Sequence, residues 1–176
     1  MTPRIFLIGF MGSGKSALAQ PLAECLRWDV VDMDDFIEKK HLKTVGQLFE
    51  KLGEAKFREI ECSVLEEISQ CENTIISTGG GCPCFFDNMQ TMLLRGVCIY
   101  LKLSVEELTK RLLKSHIDRP LIRGRSEEEL LQFIRQKLEE REPFYSQSQL
   151  IIDCNGKSKT EIVEEIFKKI TTFAEK

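Results

Sequence analysis

The sequence predicts an α/β fold in which one parallel sheet is covered by helices on both faces. Three observations predict it. Short apolar runs alternate with stretches of helical periodicity. The first run opens directly into a glycine-rich turn and a helix. Carboxylates and a second glycine cluster fall where later runs end, the edge at which parallel sheets build ligand sites. A length of 176 residues suits one domain, 1–176, with a core of its own.

The elements follow in order. Arg4 to Ile8 is a continuous apolar run that ends in Gly9, the pattern of a strand buried on both faces. Lys15 to Leu26 is helical, with Leu18, Leu22, Cys25 and Leu26 on one side. A second strand is expected over Asp29 to Met33. Helices over Thr44 to Leu52 and Glu54 to Ser69 come next, the latter with Phe57, Ile60, Val64 and Ile68 in register. The third strand, Thr74 to Thr78, runs into Gly79-Gly80-Gly81. Helix Asp87 to Leu94 leads to strand Val97 to Leu103, after which Ser104 caps helix Val105 to Leu113. Lys114 to Arg125 is charged and weakly patterned. Ser126 and Glu129 then form a capping-box start for a long helix expected to reach Arg141 and stop at Pro143. Gln149 to Asp153 is the last strand and Thr160 to Phe173 the last helix.

Composition removes several function classes. Twenty-five basic against 28 acidic residues give a net charge of −3, without the basic excess of a nucleic-acid binder. No run reaches the ~20 apolar residues of a membrane span. The apolar opening Ile5 to Met11 is cut short by Gly12 and Lys15, with no basic start or cleavage site, so no signal peptide and a soluble cytoplasmic chain are expected. Seven scattered cysteines fit reduced thiols rather than a disulfide framework. Cys82-Pro83-Cys84 lacks the spacing and the further ligands of a zinc site.

Gly9-Phe10-Met11-Gly12-Ser13-Gly14-Lys15-Ser16 matches G-x-x-x-x-G-K-[ST] in full. A chance match in a chain of this length has odds on the order of one percent. The motif also lies between a predicted strand and a predicted helix, as its mechanism requires. Backbone N–H groups and the positive end of the helix would face a polyphosphate. Lys15 would reach its β and γ phosphates, and Ser16 would ligate Mg²⁺. The loop identifies a nucleoside triphosphate site, not a reaction. A GTPase would add N/T-K-x-D, which is absent, and a motor ATPase would need more chain. A small phosphotransferase fits best.

Asp32-Met33-Asp34-Asp35 closes the second strand. Residues two apart on a strand share a face, so Asp32 and Asp34 can address one site. One carboxylate can help hold Mg²⁺ and the other can accept the proton of an attacking hydroxyl. Asp35 reads instead as the N-cap of a helix beginning near Phe36. Gly79, Gly80 and Gly81 would let a ligand approach backbone N–H groups without interference from a Cβ.

These pieces, with Phe57-Arg58-x-x-Glu61, Ser77-Thr78-Gly79-Gly80-Gly81, Arg119-Pro120-Leu121 and Arg141-x-Pro143-x-Tyr145, resemble the shikimate kinase family in order and spacing from residue 4 to about 170. The resemblance implies a three-layer α/β/α P-loop kinase, its five-stranded parallel sheet ordered 2-3-1-4-5. It implies MgATP-dependent phosphorylation of the 3-hydroxyl of shikimate, in the route to chorismate and the aromatic amino acids. The acid's carboxylate would lie between Arg58 and Arg141, and its hydroxyls near Asp34 and Gly79 to Gly81. The substrate-binding helices would span about 34–69 and a lid about 114–125, with Arg119 on the transferring phosphate. The nucleotide would meet Gly12, Ser13, Gly14, Lys15, Ser16 and Ala17, with Arg111 and Asn155 on the adenine side. Asp32 would join Ser16 at the metal. Cys82 stands where the family commonly has Ala, and Ser146-Gln147-Ser148 follows Tyr145 where a small Ala is frequent. Two other readings are a gluconate-kinase-like sugar-acid kinase and a silent shikimate- or nucleotide-binding regulator. Phe57-Arg58 with the triple glycine argues against the first; retention of Lys15, Asp34 and Arg119 argues against the second. The expected working form is a monomer acting on two small molecules, with no nucleic-acid or membrane partner.

Overall fold

The computed structural model describes residues 4–115 and 122–174. Five strands, β1 (Arg4–Ile8), β2 (Asp29–Asp32), β3 (Thr74–Ser77), β4 (Val97–Lys102) and β5 (Leu150–Asp153), form a sheet in the order β2-β3-β1-β4-β5. Every pairing is parallel, with Phe6 of β1 opposite Ile76 of β3 and Cys98 of β4. The helices are α1 (Lys15–Leu26), α2 (Met33–His41), α3 (Val45–Ile68), α4 (Asn88–Arg95), α5 (Val105–Lys114), α6 (Glu127–Tyr145) and α7 (Lys159–Ala174). The expected fold class and strand order are both present.

The alternation of side chains along the strands divides the core. Ile5, Leu7, Ile99 and Leu101 face one way and pack with Leu18 and Leu22 of α1, Leu108 of α5 and Ile162 and Ile166 of α7. Phe6, Ile8, Cys98 and Tyr100 face the other way, against Ile37 of α2, Phe57 and Val64 of α3 and Met92 of α4. Because β1 and β4 are apolar on both faces, they occupy the interior of the sheet. Cys25, expected on the inner face of α1, is exposed; Ala19 and Ala23 take that place beside Leu18 and Leu22.

Three expectations about boundaries change. β2 stops at Asp32 and α2 starts at Met33, because the Asp32 carboxylate accepts from the N–H groups of Asp34 and Asp35 and caps the helix. Asp32, not Asp35, is therefore the cap. α6 does not stop at Pro143 but continues to Tyr145. Proline removes one intrahelical bond there, yet the last turn is held by complete burial of Tyr145 and by the Ser146 N–H, which donates to the Glu142 carbonyl at 2.9 Å. The expected break between the two helices around residue 53 is present as a break within α3, where Gly53 takes φ 76° and ψ 168°. Capping at Thr44, Ser104 and Ser126 is formed, with a reciprocal box at Thr44 and Ser126.

Candidate active site

The phosphate loop joins β1 to α1. Gly12 and Gly14 have φ values of 82° and 98°, a left-handed geometry that residues with a Cβ adopt only under strain. Gly14 is also the N-cap of α1, so the helix begins at Lys15 with its first N–H groups and dipole aimed at the loop. Lys15 is buried, and its ammonium donates to the carbonyls of Gly9 at 2.9 Å and Phe10 at 3.0 Å, which curls the side chain back over the loop. Ser13 is buried, whereas Ser16 and Ala17 are exposed in the first turn of the helix.

One hydrogen bond links that turn to β2. The Ser16 hydroxyl donates to Asp32 Oδ2 at 2.5 Å and lies 3.2 Å from the Ser77 hydroxyl. The site thus collects hard oxygen donors at the carboxyl ends of β2 and β3. Asp34 does converge on the same cleft as Asp32, though from the first turn of α2 rather than from a strand face. Its carboxyl is raised above the usual carboxylate range, first by the protein around it and then by Asp32, against the pull of Lys15. A carboxylate so placed is suited to take a proton.

A cleft of about 660 Å³ opens beside the loop, lined by Asp34, Arg58, Glu61, Gly79 to Gly81 and Arg141 among others. Arg58 is 4% exposed and Arg141 8%, so both cations are largely removed from water. Arg58 donates to Glu61, and at 2.9 Å to Glu54. Its guanidinium lies near three aromatic rings, with centroids at 5.4 Å for Phe49, 5.6 Å for Phe57 and 4.3 Å for Phe85. Arg141 lies 5.1 Å from the ring centre of Phe10. Among the described residues, Arg58 Nε and Arg141 Nη1 are buried N–H groups without a protein acceptor. Two buried guanidinium groups on one cleft, each with an N–H left over, have the chemistry to receive a small anion with paired oxygens, such as a carboxylate.

The triple glycine is explained by close approach. A Cβ on Gly79 would collide with Glu61, and one on Gly81 would fall within 2.8 Å of the Arg58 guanidinium. The loop can lie against the cationic site only because it has no side chains. Its turn is closed by Cys82 N–H to the Gly79 carbonyl at 3.1 Å and Cys84 N–H to the Gly81 carbonyl at 2.9 Å.

Glu61 received no role from the sequence although its motif was recognisable. It is 1% exposed, and burial pushes its carboxyl up to about 7, with Arg58 pulling down and Asp34 pushing up. Glu54 and Glu61 stand four residues before and three after Arg58, the helical spacing at which side chains meet, and that signal could have identified both. The aromatic neighbours Phe85 and Phe10 carry no such local signal. On the nucleotide side, Arg111 pairs with Glu107 at 2.7 Å, and its Nη1 lies 3.9 Å from where a Cβ on Gly14 would be, so it borders the phosphate loop. Asn155 is exposed and engaged: its carbonyl oxygen accepts from Ser104 N–H at 3.0 Å and its amide donates to Asp153 at 2.7 Å. That joins the turn before α5 to the turn after β5. Arg119 and Leu121, in the expected lid, lie outside the described residues.

Residues 11–171 match the family model described as shikimate kinase. The chain belongs to the shikimate kinase family. It is 47% identical over 151 residues to a shikimate kinase of Parabacteroides distasonis, covering 86% of this chain and 87% of that protein. It is 44% identical over 168 residues to one of Azobacteroides pseudotrichonymphae, covering 95% and 99%. A crystal structure of shikimate kinase from Bacteroides thetaiotaomicron superposes with a TM-score of 0.90 at 40% identity, covering 99% of each chain. A shikimate kinase from Acinetobacter baumannii, solved with shikimate, also gives 0.90, at 32% identity and covering 98% of this chain and 94% of that one. A gluconokinase from Sinorhizobium meliloti shares the fold at 17% identity and a TM-score of 0.64. Membership of the shikimate kinase family makes this chain a phosphotransferase of the kinase class.

Proposed function

We propose that this chain transfers the γ-phosphoryl group of ATP to the 3-hydroxyl of shikimate, giving ADP and shikimate 3-phosphate. The observation that carries the reading is the pair of buried guanidinium groups, Arg58 and Arg141, on the same cleft as a phosphate-binding loop and a recessed carboxylate, Asp34. An anion binder, a polyphosphate binder and a proton acceptor then share one space. Arg58 and Arg141 would hold the carboxylate of the acid through charge-assisted bonds. The N–H groups of Gly79 to Gly81 would meet its ring hydroxyls.

The donor set suits Mg²⁺. The Ser16 hydroxyl and the Asp32 carboxylate are hard oxygens already 2.5 Å apart, and magnesium in phosphoryl-transfer sites takes one or two protein ligands together with phosphate oxygens. Ser16 and Asp32 would hold it, and when bound it neutralises charge on the β and γ phosphates. The protein's own part is positioning and electrostatics. The N–H groups of residues 12 to 17 cradle the phosphates, and Lys15 turns from the carbonyls of Gly9 and Phe10 to the phosphate oxygens. The hydroxyl oxygen forms its bond to the γ phosphorus as the bridge to the β phosphate breaks, and the hydroxyl proton passes to Asp34. Arg119 would stabilise charge on the transferring group from the lid, and Arg111 and Asn155 would border the nucleoside. The expected working form stays a monomer, and free thiols at all seven cysteines suit a cytoplasmic setting.

A coupled assay of ADP release with shikimate, with gluconate and with no acceptor tests the proposal. Release that depends on shikimate is expected. Release dependent on gluconate, or independent of either acid, would overturn it.

A further inference from the structure

Tyr145 stands behind the wall of the cleft rather than on it. Its side chain is completely buried, and its hydroxyl donates to the carbonyl of Gly80. Among the described residues no other donor reaches that carbonyl. The peptide between Gly80 and Gly81 is trans, so its carbonyl and N–H point in opposite directions. Holding the carbonyl toward Tyr145 therefore fixes the Gly81 N–H on the far side of the same peptide plane.

The other end of the tie is as firmly set. Tyr145 lies four residues after Arg141 on α6, one helical turn away on the same face. Its ring packs on Tyr100 with centroids 5.0 Å apart, and Tyr100 in turn donates to Glu142 at 2.7 Å. Lys102 donates to the other oxygen of Glu142 at 2.5 Å. Burial keeps the phenol protonated far beyond neutral pH, so the hydroxyl remains a donor.

We propose that Tyr145 is a positioning residue for the acid-binding half of the cleft: its hydroxyl ties the glycine loop to the helix that carries Arg141. The loop that meets the ring hydroxyls and the cation that meets the carboxylate then keep one separation, matched to one small cyclic acid. This rests on the substrate placement given under Proposed function. It also explains why α6 is carried past Pro143. Had the helix ended there, the phenol would not reach Gly80.

Tyr145→Phe removes the hydroxyl and retains the ring. Steady-state kinetics on the purified variant should show the KM for shikimate raised about tenfold, the KM for ATP within about twofold of the parent, and kcat changed less than the shikimate KM. Tyr100→Phe is the comparison, since it removes a buried hydroxyl from the same ring pair and leaves the bond to Gly80. It should leave the shikimate KM within about twofold. An unchanged shikimate KM in Tyr145→Phe would overturn the proposal. So would an equal rise in both variants, or loss of cooperative melting in Tyr145→Phe, because either would make the hydroxyl a general support of α6. A parent enzyme with no shikimate-dependent ADP release would instead contradict the substrate reading, so the two failures are distinct.

Discussion

The two halves of the cleft are built by opposite means. The nucleotide half is local: one turn between β1 and α1 supplies the loop, the helix end, Lys15 and Ser16 from eight consecutive residues. Backbone N–H groups are proposed to do most of its work, and glycines at positive φ shape it. The acid half is dispersed. Its cations come from α3 and α6, its backbone donors from the turn after β3, and its aromatic supports from the loop after β1, α3 and the segment before α4. What makes it specific is the burial of charge, and buried charge must be held by neighbours. A binding site made of backbone can be written in one motif, whereas one made of buried side chains is spread over the fold.

If that contrast is right, substitutions should separate along it. Lys15→Met, in the local half, should lower kcat about a thousandfold, the upper range for removing a charge stabiliser of the transferring group. Shikimate binding, measured by titration without nucleotide, should stay within about threefold of the parent; its loss would show that the halves are not separate. Asp34→Ala sits at the seam. Turnover should fall at least roughly a hundredfold with the KM for ATP nearly intact, and unchanged turnover would remove Asp34 from the reaction. Arg141→Ala should raise the KM for shikimate about ten- to a hundredfold, the range for loss of a charged hydrogen-bond partner, while the KM for ATP is unaffected.

A smaller effect concerns pH. Folded Glu61 titrates near 7, and its ordinary value is 4.5. Between those values the folded chain holds a proton that the unfolded chain has released, so stability should fall as pH rises through the window and level off above it. The denaturation midpoint of the ligand-free protein should decline from pH 5 to pH 7, and Glu61→Gln should flatten that decline. Parallel slopes in the two proteins would remove Glu61 as its source.

Legibility in the sequence follows the same division. The phosphate loop and the helix caps at Ser104 and Ser126 rest on adjacent residues, and they are present as expected, as is the strand order implied by the resemblance; Thr44, expected as the first helical residue, is the cap of α3 instead. Asp32 and Asp34 are legible as a pair, but for a different geometric reason. A strand repeat was expected to align them, whereas Asp32 caps a helix whose first turn presents Asp34. The end of α6 was misplaced because a local rule about Pro143 competes with the burial of Tyr145, which depends on Tyr100 more than forty residues away. Glu61 was legible through its helical spacing from Arg58, whereas Phe85 matters through Arg58 only because the folded chain brings the two together. Asn155 shows the reverse case, a residue expected near the nucleoside whose amide already joins two turns.

On the proposed reading, buried cations from separate elements make the acid site independently of the phosphate loop. Calorimetric titration of shikimate into the parent and into Arg58→Ala, with nucleotide absent, tests it most directly. Saturable heat is expected with the parent and affinity weakened at least about tenfold in the variant, with binding of ATP alone preserved in both. Equal affinity for shikimate in the two proteins, or no heat with the parent, would contradict it.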